Sequence, residues 1–228
     1  MKRKTMFCKF FQSLLRAKSS LVLAFLLGGA ASVSANDWQY WSTWSATHNI
    51  SEKEQVSALT EIYFHGILSG DYIYDEYVTY ARKLGHGFGL SGQLYFESVK
   101  SPDNKWNGTR SAVAGLSYAF EIPKAFAVKI EDRFFYRLNS PAEWDYHRPR
   151  LYLTRGIGPV TLLLSDEMRI DLTGGRADKF FRNRIFANLS AKLSPSLQLG
   201  IGYLRQSDKI GGVWESFNGV QSLVTVNF

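Results

Sequence analysis

Across residues 36–228, polar and apolar side chains alternate with a period of two in segments of about ten to fourteen residues, each closed by turn-forming residues. The alternation predicts strands at 37–47, 55–65, 71–84, 88–100, 108–122, 126–137, 144–155, 160–172, 180–193, 197–207 and 216–228. Segments of this length exceed the roughly five or six residues of a soluble strand. They match the tilted strand of about 9–11 residues that crosses an outer membrane. No long stretch of helical period stands out, and no linker divides the region into domains.

The two faces of each segment sort by parity. In 108–122, Ala112, Ala114, Leu116, Tyr118 and Phe120 oppose Ser111, Gly115, Ser117 and Glu121. In 180–193, Ile185, Ala187, Leu189 and Ala191 oppose Arg182, Arg184, Asn188 and Ser190. In a membrane barrel the apolar set meets lipid and the polar set lines the interior; a soluble lipocalin-like barrel reverses this. Aromatic residues near segment ends, Trp38, Trp44, Tyr118, Phe120, Tyr203 and Phe228 among them, suit two interfacial girdles. Short connections (85–87, 123–125, 156–159, 194–196) alternate with longer polar ones (101–107, 138–143, 173–179, 208–215), as when one barrel end faces the periplasm and the other the exterior.

The expected fold is therefore all-β: an antiparallel up-and-down transmembrane β-barrel spanning residues 36–228. An even strand number keeps both termini on the periplasmic side. Eleven candidates break that parity, and the expectation is ten strands, with part of 36–54 outside the barrel or plugging it; twelve is the alternative. Asp132 and Asp166 fall mid-strand on the apolar face, where a bulge beside each would turn it inward.

The leader changes the meaning of the charge. Residues 1–20 are basic, Leu21 to Ala31 are apolar, and Val33-Ser34-Ala35 offers a small-residue cleavage site, the pattern of a secretory signal peptide over 1–35. Its apolar stretch is shorter than the roughly 20 residues of a membrane anchor. The whole chain carries a formal charge of +7, but six basic residues lie in the leader; without them 21 basic residues face 20 acidic ones. A nucleic-acid partner thereby loses its electrostatic support. Cys8, the one cysteine, also lies in the leader, so the exported chain has neither a disulfide nor a thiolate.

What remains is a concentration of arginine. By parity, Glu131, Arg133 and Arg137, then Arg148 and Arg150, then Glu167, Arg169 and Asp171, then Arg182 and Arg184 share the inward face of four consecutive segments, with Lys129 beside them. Two readings stand. An electropositive wall would draw small anionic solutes through a pore. A ladder of two-point arginine–carboxylate contacts would instead fill and brace a narrow barrel.

No catalytic, cofactor-binding or metal-binding residue is assigned. Four histidines occur: His48 and His86 in predicted turns, His65 and His147 at segment ends. A lipid-modifying enzyme would need a serine activated by one of them, and no motif pairs His147 with a serine. Gly85-His86-Gly87-Phe88-Gly89 lacks the following Lys-Ser/Thr of a phosphate loop. Asp71, Asp75 and Glu76 beside Tyr72, Tyr74 and Tyr77 form the one acidic, tyrosine-rich cluster with a conceivable cation or sugar role.

From Arg148 onward, Arg148-Pro149-Arg150-Leu151-Tyr152-Leu153, Leu164-Ser165-Asp166-Glu167, Arg182-Asn183-Arg184 and Gly200-Ile201-Gly202-Tyr203 resemble the bacterial domain-of-unknown-function family numbered 2490. The resemblance implies an exported barrel in the bacterial outer membrane and no particular reaction. The terminal strand, with Val220, Val224, Val226 and Phe228 on one face, resembles the signal read by the outer-membrane assembly machinery. The expected partners are thus outer-membrane lipid, that machinery and small anionic solutes. The expected function is a small pore; the alternatives are a non-conducting structural or interaction barrel and, third, a lipid-modifying enzyme.

Overall fold

Period-two alternation leaves each segment with two faces to satisfy and a row of unpaired backbone groups on either edge, and a ring of strands satisfies both demands. The computed structural model describes residues 38–65, 71–100, 105–123, 125–139, 142–174 and 179–228; the leader reading for residues 1–35 lies outside them. The described chain forms β1 (Trp38–Asn49), β2 (Glu54–His65), β3 (Asp71–Gly85), β4 (Phe88–Lys100), β5 (Trp106–Ile122), β6 (Phe126–Arg137), β7 (Glu143–Ile157), β8 (Val160–Asp171), β9 (Phe180–Lys192), β10 (Leu197–Ile210) and β11 (Val213–Asn227). Each strand pairs with its sequence neighbours, and β1 pairs with β11 to close the barrel.

The number is eleven, not ten or twelve. Residues expected to lie partly outside the ring form β1, held on one side antiparallel to β2 and on the other parallel to β11. The parallel pair is a geometric necessity: strands that alternate in direction around an odd ring must meet once pointing the same way. The β1–β11 register runs from Trp38↔Asn218 to Thr47↔Asn227, and Ser42–Ser222, Ser45–Thr225 and Thr43–Gln221 hydrogen bonds span it. In consequence Trp38 and Phe228 sit at opposite rims. The Phe228 rim carries the connections at 50–53, 86–87, 123–125, 158–159 and 193–196.

Two local expectations also change. The connection read as 208–215 is a tight hairpin: the strands continue to Ile210 and resume at Val213, and Gly211 and Gly212 take φ of 59° and 86°. Two consecutive left-handed residues make the primed turn that suits strand twist, and glycine adopts them without strain. Asp132 and Asp166 stay on the outer face without a bulge. The register irregularities lie at Lys83/Gly85, Phe135/Tyr136 and Arg169/Ile170 instead. Partners on neighbouring strands replace the bulge: His147 Nδ1 lies 3.1 and 3.2 Å from the two Asp132 oxygens, and Asn183 Nδ2 donates to Asp166 at 2.6 Å.

The packing is inside-out relative to a soluble barrel. Among the described residues 35 large apolar side chains are exposed, whereas ten apolar and sixteen polar or charged ones are buried, all of them except Val128 at inward positions. Two aromatic clusters anchor the interior, Tyr77, Tyr95, Val113, Phe135 and Tyr146 in one and Trp41, Tyr63, Phe186 and Leu204 in the other.

The eleven-strand ring is testable at its seam. Ser42 and Ser222 are direct register partners with hydroxyls 3.3 Å apart. The double variant Ser42→Cys/Ser222→Cys is expected to form an intramolecular disulfide on mild oxidation, read as a gel shift reversed by reductant. A ten-strand ring excluding β1 would leave the two thiols uncross-linked.

Candidate functional site

The interior charge follows from a two-residue rhythm repeated on five strands. Glu131-x-Arg133, Arg148-x-Arg150, Glu167-x-Arg169, Arg182-x-Arg184 and Gln206-x-Asp208 each place two polar side chains on the inward face. The registers Glu131↔Arg150, Arg150↔Glu167, Glu167↔Arg184 and Arg184↔Gln206 align one row in which acid and base alternate as far as Arg184 and which ends on the neutral amide of Gln206. The adjoining row brings Arg133 opposite Arg148, Arg169 opposite Arg182, and Arg182 opposite Asp208. Like charges directly opposed destabilise a sheet, so the second row depends on the first for compensation.

Glu167 is the hub. Its side chain is fully buried, and Arg148 Nη2 reaches both carboxylate oxygens at 2.7 Å. Arg150 Nη1 lies at 3.3 Å, Arg133 Nη2 at 3.6 Å and Arg184 Nη1 at 3.8 Å. One carboxylate thus serves four guanidiniums from three other strands. Glu131 contributes a second, smaller centre, meeting Lys129 at 2.9 Å, the Tyr152 hydroxyl at 2.8 Å and Arg133 at 3.5 Å.

Carboxylates alone do not balance this cluster, and aromatic faces take up part of the excess. Arg148 lies over Phe135, Arg150 over both Tyr152 and Phe186, Arg184 over Trp41 and Tyr63, and Arg169 over Tyr146, with guanidinium carbons 4.7–5.9 Å from the ring centres. A desolvated cation over an aromatic face gains up to about 2 kcal/mol or more. Arg169 makes no ion pair with a described residue, and its Nε and one Nη have no hydrogen-bond partner; it lies over the Tyr146 ring.

Towards the rims the pairs become simpler. Arg182 forms a two-point contact with Asp208, and Arg137 bridges Glu143 at 3.3 Å and Asp145 at 3.0 Å. Asp171 accepts from the Thr173 hydroxyl at 2.8 Å and the Gly174 amide at 3.0 Å. The structure therefore gathers Glu131, Arg133, Arg148, Arg150, Glu167, Arg169 and Arg184 in one buried assembly and leaves Arg137, Asp171 and Arg182 in separate contacts beside it.

No protein-family model matches the chain, and no curated protein matches it. The site speaks through its geometry alone.

Sequence reasoning missed the opposite wall. Asp75, fully buried, receives the Tyr63 hydroxyl at 2.7 Å and the Tyr95 hydroxyl at 3.0 Å, and the same hydroxyls lie 2.7 and 2.8 Å from Glu61 and Glu97. Parity splits the acidic cluster expected here: Asp75 and Tyr77 point inward, whereas Glu76 takes the Tyr74 hydroxyl on the outer face at 2.8 Å. Tyr63, Asp75 and Tyr95 sit at inward positions of three consecutive strands, a signal that cross-strand alignment of the sequence carries. Among the described residues no three His, Cys, Asp or Glu side chains form a metal-binding group. His147 is on the outer face, stacked on Phe134, and no hydroxyl side chain of a described residue hydrogen-bonds to it.

Glu167→Gln keeps the shape of the hub and removes its charge, leaving four guanidiniums facing a neutral amide. The expected loss of unfolding free energy is about 3–5 kcal/mol, measured by urea unfolding of the folded protein. Asp208→Asn, at a pair whose side chains are 25% and 17% exposed, is expected to cost less, about 1 kcal/mol or below.

Proposed function

We propose that this chain is an outer-membrane β-barrel with a closed interior, a non-conducting structural or interaction barrel braced by its arginine–carboxylate assembly. The carrying observation is that each of the eleven strands, from Trp41 on β1 to Gln221 on β11, supplies at least one inward side chain buried from solvent. Buried side chains converging from every strand support a filled centre, and conduction needs a continuous water path.

The membrane assignment rests on the outer face. A contiguous apolar surface of this extent is unfavourable in water and favourable against hydrocarbon. Aromatic groups gather near both rims: Phe88–Tyr118 and Tyr118–Phe120 towards one, Tyr136–Trp144 and Phe180–Trp214 towards the other, with ring centres 4.8–5.7 Å apart. That distribution suits the two interfacial girdles. The assembly machinery would find Phe228 accessible, its side chain largely exposed and its backbone tied to Thr47 at the end of β1. With the centre closed, the surfaces open to partners are the rims and the outer wall.

One observation favours an anion path as second reading, namely that in the assembly around Glu167 five guanidiniums (Arg133, Arg148, Arg150, Arg169 and Arg184) face two carboxylates, Glu131 and Glu167. A single experiment separates the two. Protein purified from outer membranes and reconstituted in planar bilayers is expected to show no stepwise conductance. Stepwise, anion-selective conductance that falls on Arg182→Ala would establish the pore instead.

A further inference from the structure

The outer wall over β3–β7 is not evenly filled. Two adjacent outward rows cross it, Ala112↔Tyr136↔Trp144 and Tyr80↔Gly92↔Ala114↔Phe134. Small residues on β4 and β5 stand between large ones on the flanking strands. The result is a trough floored by Gly92, Ala112 and Ala114, with Tyr80 on one side and Phe134, Tyr136 and Trp144 on the other. A Cβ at Gly92 would meet no atom within 4 Å, so the floor is open above it.

The next outward positions towards the Trp38 rim on β3, β4 and β5 are Glu76, Phe96 and Arg110, which form one register row. They belong to a second pocket, lined also by Ser98 and Asn139. Asn139 fixes its wall, accepting from the Arg110 amide at 2.9 Å and donating to the Gly108 carbonyl at 3.0 Å. Glu76 takes the Tyr74 hydroxyl on one carboxylate oxygen, and Arg110 is exposed and makes no ion pair with a described residue. One strand separates the two charges, so their backbones lie about 10 Å apart. Trough and pocket measure about 520 and 450 Å³, within the roughly 300–1,000 Å³ of ligand clefts. The Tyr136–Trp144 pair stands at the junction, where interfacial aromatics mark headgroup depth.

We propose that trough and pocket together bind one phospholipid with a zwitterionic, ethanolamine-type headgroup. Arg110 takes the phosphate, Glu76 takes the ammonium, and an acyl chain lies along β4–β5 over Gly92, Ala112 and Ala114. A recess facing hydrocarbon forfeits dispersion contacts unless a chain fills it, and the charged pocket at its head selects which lipid does so. A purely anionic headgroup would meet Arg110 but be repelled by Glu76. The inference rests on the membrane reading, and its test keeps the two apart.

The full chain is purified from outer membranes in mild detergent and incubated with equal amounts of phosphatidylethanolamine and phosphatidylglycerol. Retained lipid is then counted by native mass spectrometry. The wild type is expected to hold one phosphatidylethanolamine in preference to phosphatidylglycerol. Gly92→Phe fills the trough and should abolish retention, whereas Ala187→Phe, outward on β9, should leave it unchanged. Arg110→Gln should weaken binding of both lipids about tenfold, the loss of one charge-assisted hydrogen bond. Glu76→Gln should remove the preference between them. Heat-modifiable mobility reports folding of each variant, and the two rim substitutions decide the matter if Gly92→Phe does not fold. Equal retention by the wild type and a folded Gly92→Phe, no preference between the lipids in the wild type, or retention of lipid A alone would overturn the lipid site. Recovery of the wild type in the soluble fraction would overturn the membrane reading instead.

Discussion

The structure depends on one buried carboxylate. Glu167 stands on β8 between Arg150 on β7 and Arg184 on β9 in a single cross-strand row, and Arg148 and Arg133 reach it from the row beside. Removing charges from water costs several kcal/mol per ion even after relaxation, so such a centre persists only where attraction and hydrogen bonding return that cost. Here the return has two sources: the four guanidiniums about the carboxylate, and the aromatic faces over which Arg148, Arg150, Arg169 and Arg184 lie. The aromatic side chains consequently do two things. They fill the volume of an eleven-strand ring, and they accept cationic charge that the few carboxylates leave over.

This arrangement reverses the usual division of labour between core and surface. Apolar side chains that would form the core of a soluble barrel are spread over the outer wall, and the interior is held by polar contacts and stacked rings such as Phe135–Tyr146 at 4.4 Å and Tyr77–Tyr95 at 4.7 Å. On the membrane reading proposed above, the outer residues gain little from each other in hydrocarbon, so backbone pairing around a closed ring and the interior assembly supply the cohesion. Closure is then more than a shape. It removes both sheet edges, and it brings the acidic and tyrosine-lined wall of β2–β4 across from the arginine-rich wall of β6–β9.

Much of this was legible in the sequence because a strand's side-chain period is two and the parity of a residue fixes its face. The segments 88–100 and 126–137 match β4 and β6 at both ends, since Gly85-His86-Gly87 and Pro123 mark their starts without ambiguity. The arginines and carboxylates of β6–β9 fell on the inward face by the same rule. Parity does not give register, however, and register is what makes Glu167 the hub while Asp171 bonds locally to Thr173 and Gly174. It also hid the Tyr63–Asp75–Tyr95 group, whose members are unremarkable on their own strands. The Gly211-Gly212 pair was a hairpin signal in plain view, obscured by the polar residues around it, which belong to the strand ends.

The strand count shows how a general rule can outweigh a correct local reading. All eleven segments were visible as alternation, and β1 was set aside because single-chain bacterial barrels have even numbers of strands. That regularity follows from both termini sharing one side, not from any requirement of hydrogen bonding. An odd ring needs only one parallel seam, whose bonds are slightly less favourable per residue than antiparallel ones. Here the seam gains what it lacks from side chains: hydroxyl contacts along β1 and β11, the Gln221–Thr43 bond inside, and Trp41 tilted against Tyr63 at 3.8 Å beneath Arg184. Because Arg184 also reaches Glu167, the strand that closes the ring and the carboxylate that fills it belong to one connected network. A ring without β1 would lose the aromatic face that Arg184 rests on. The interior chemistry thus favours eleven strands for the same reason that it closes the barrel.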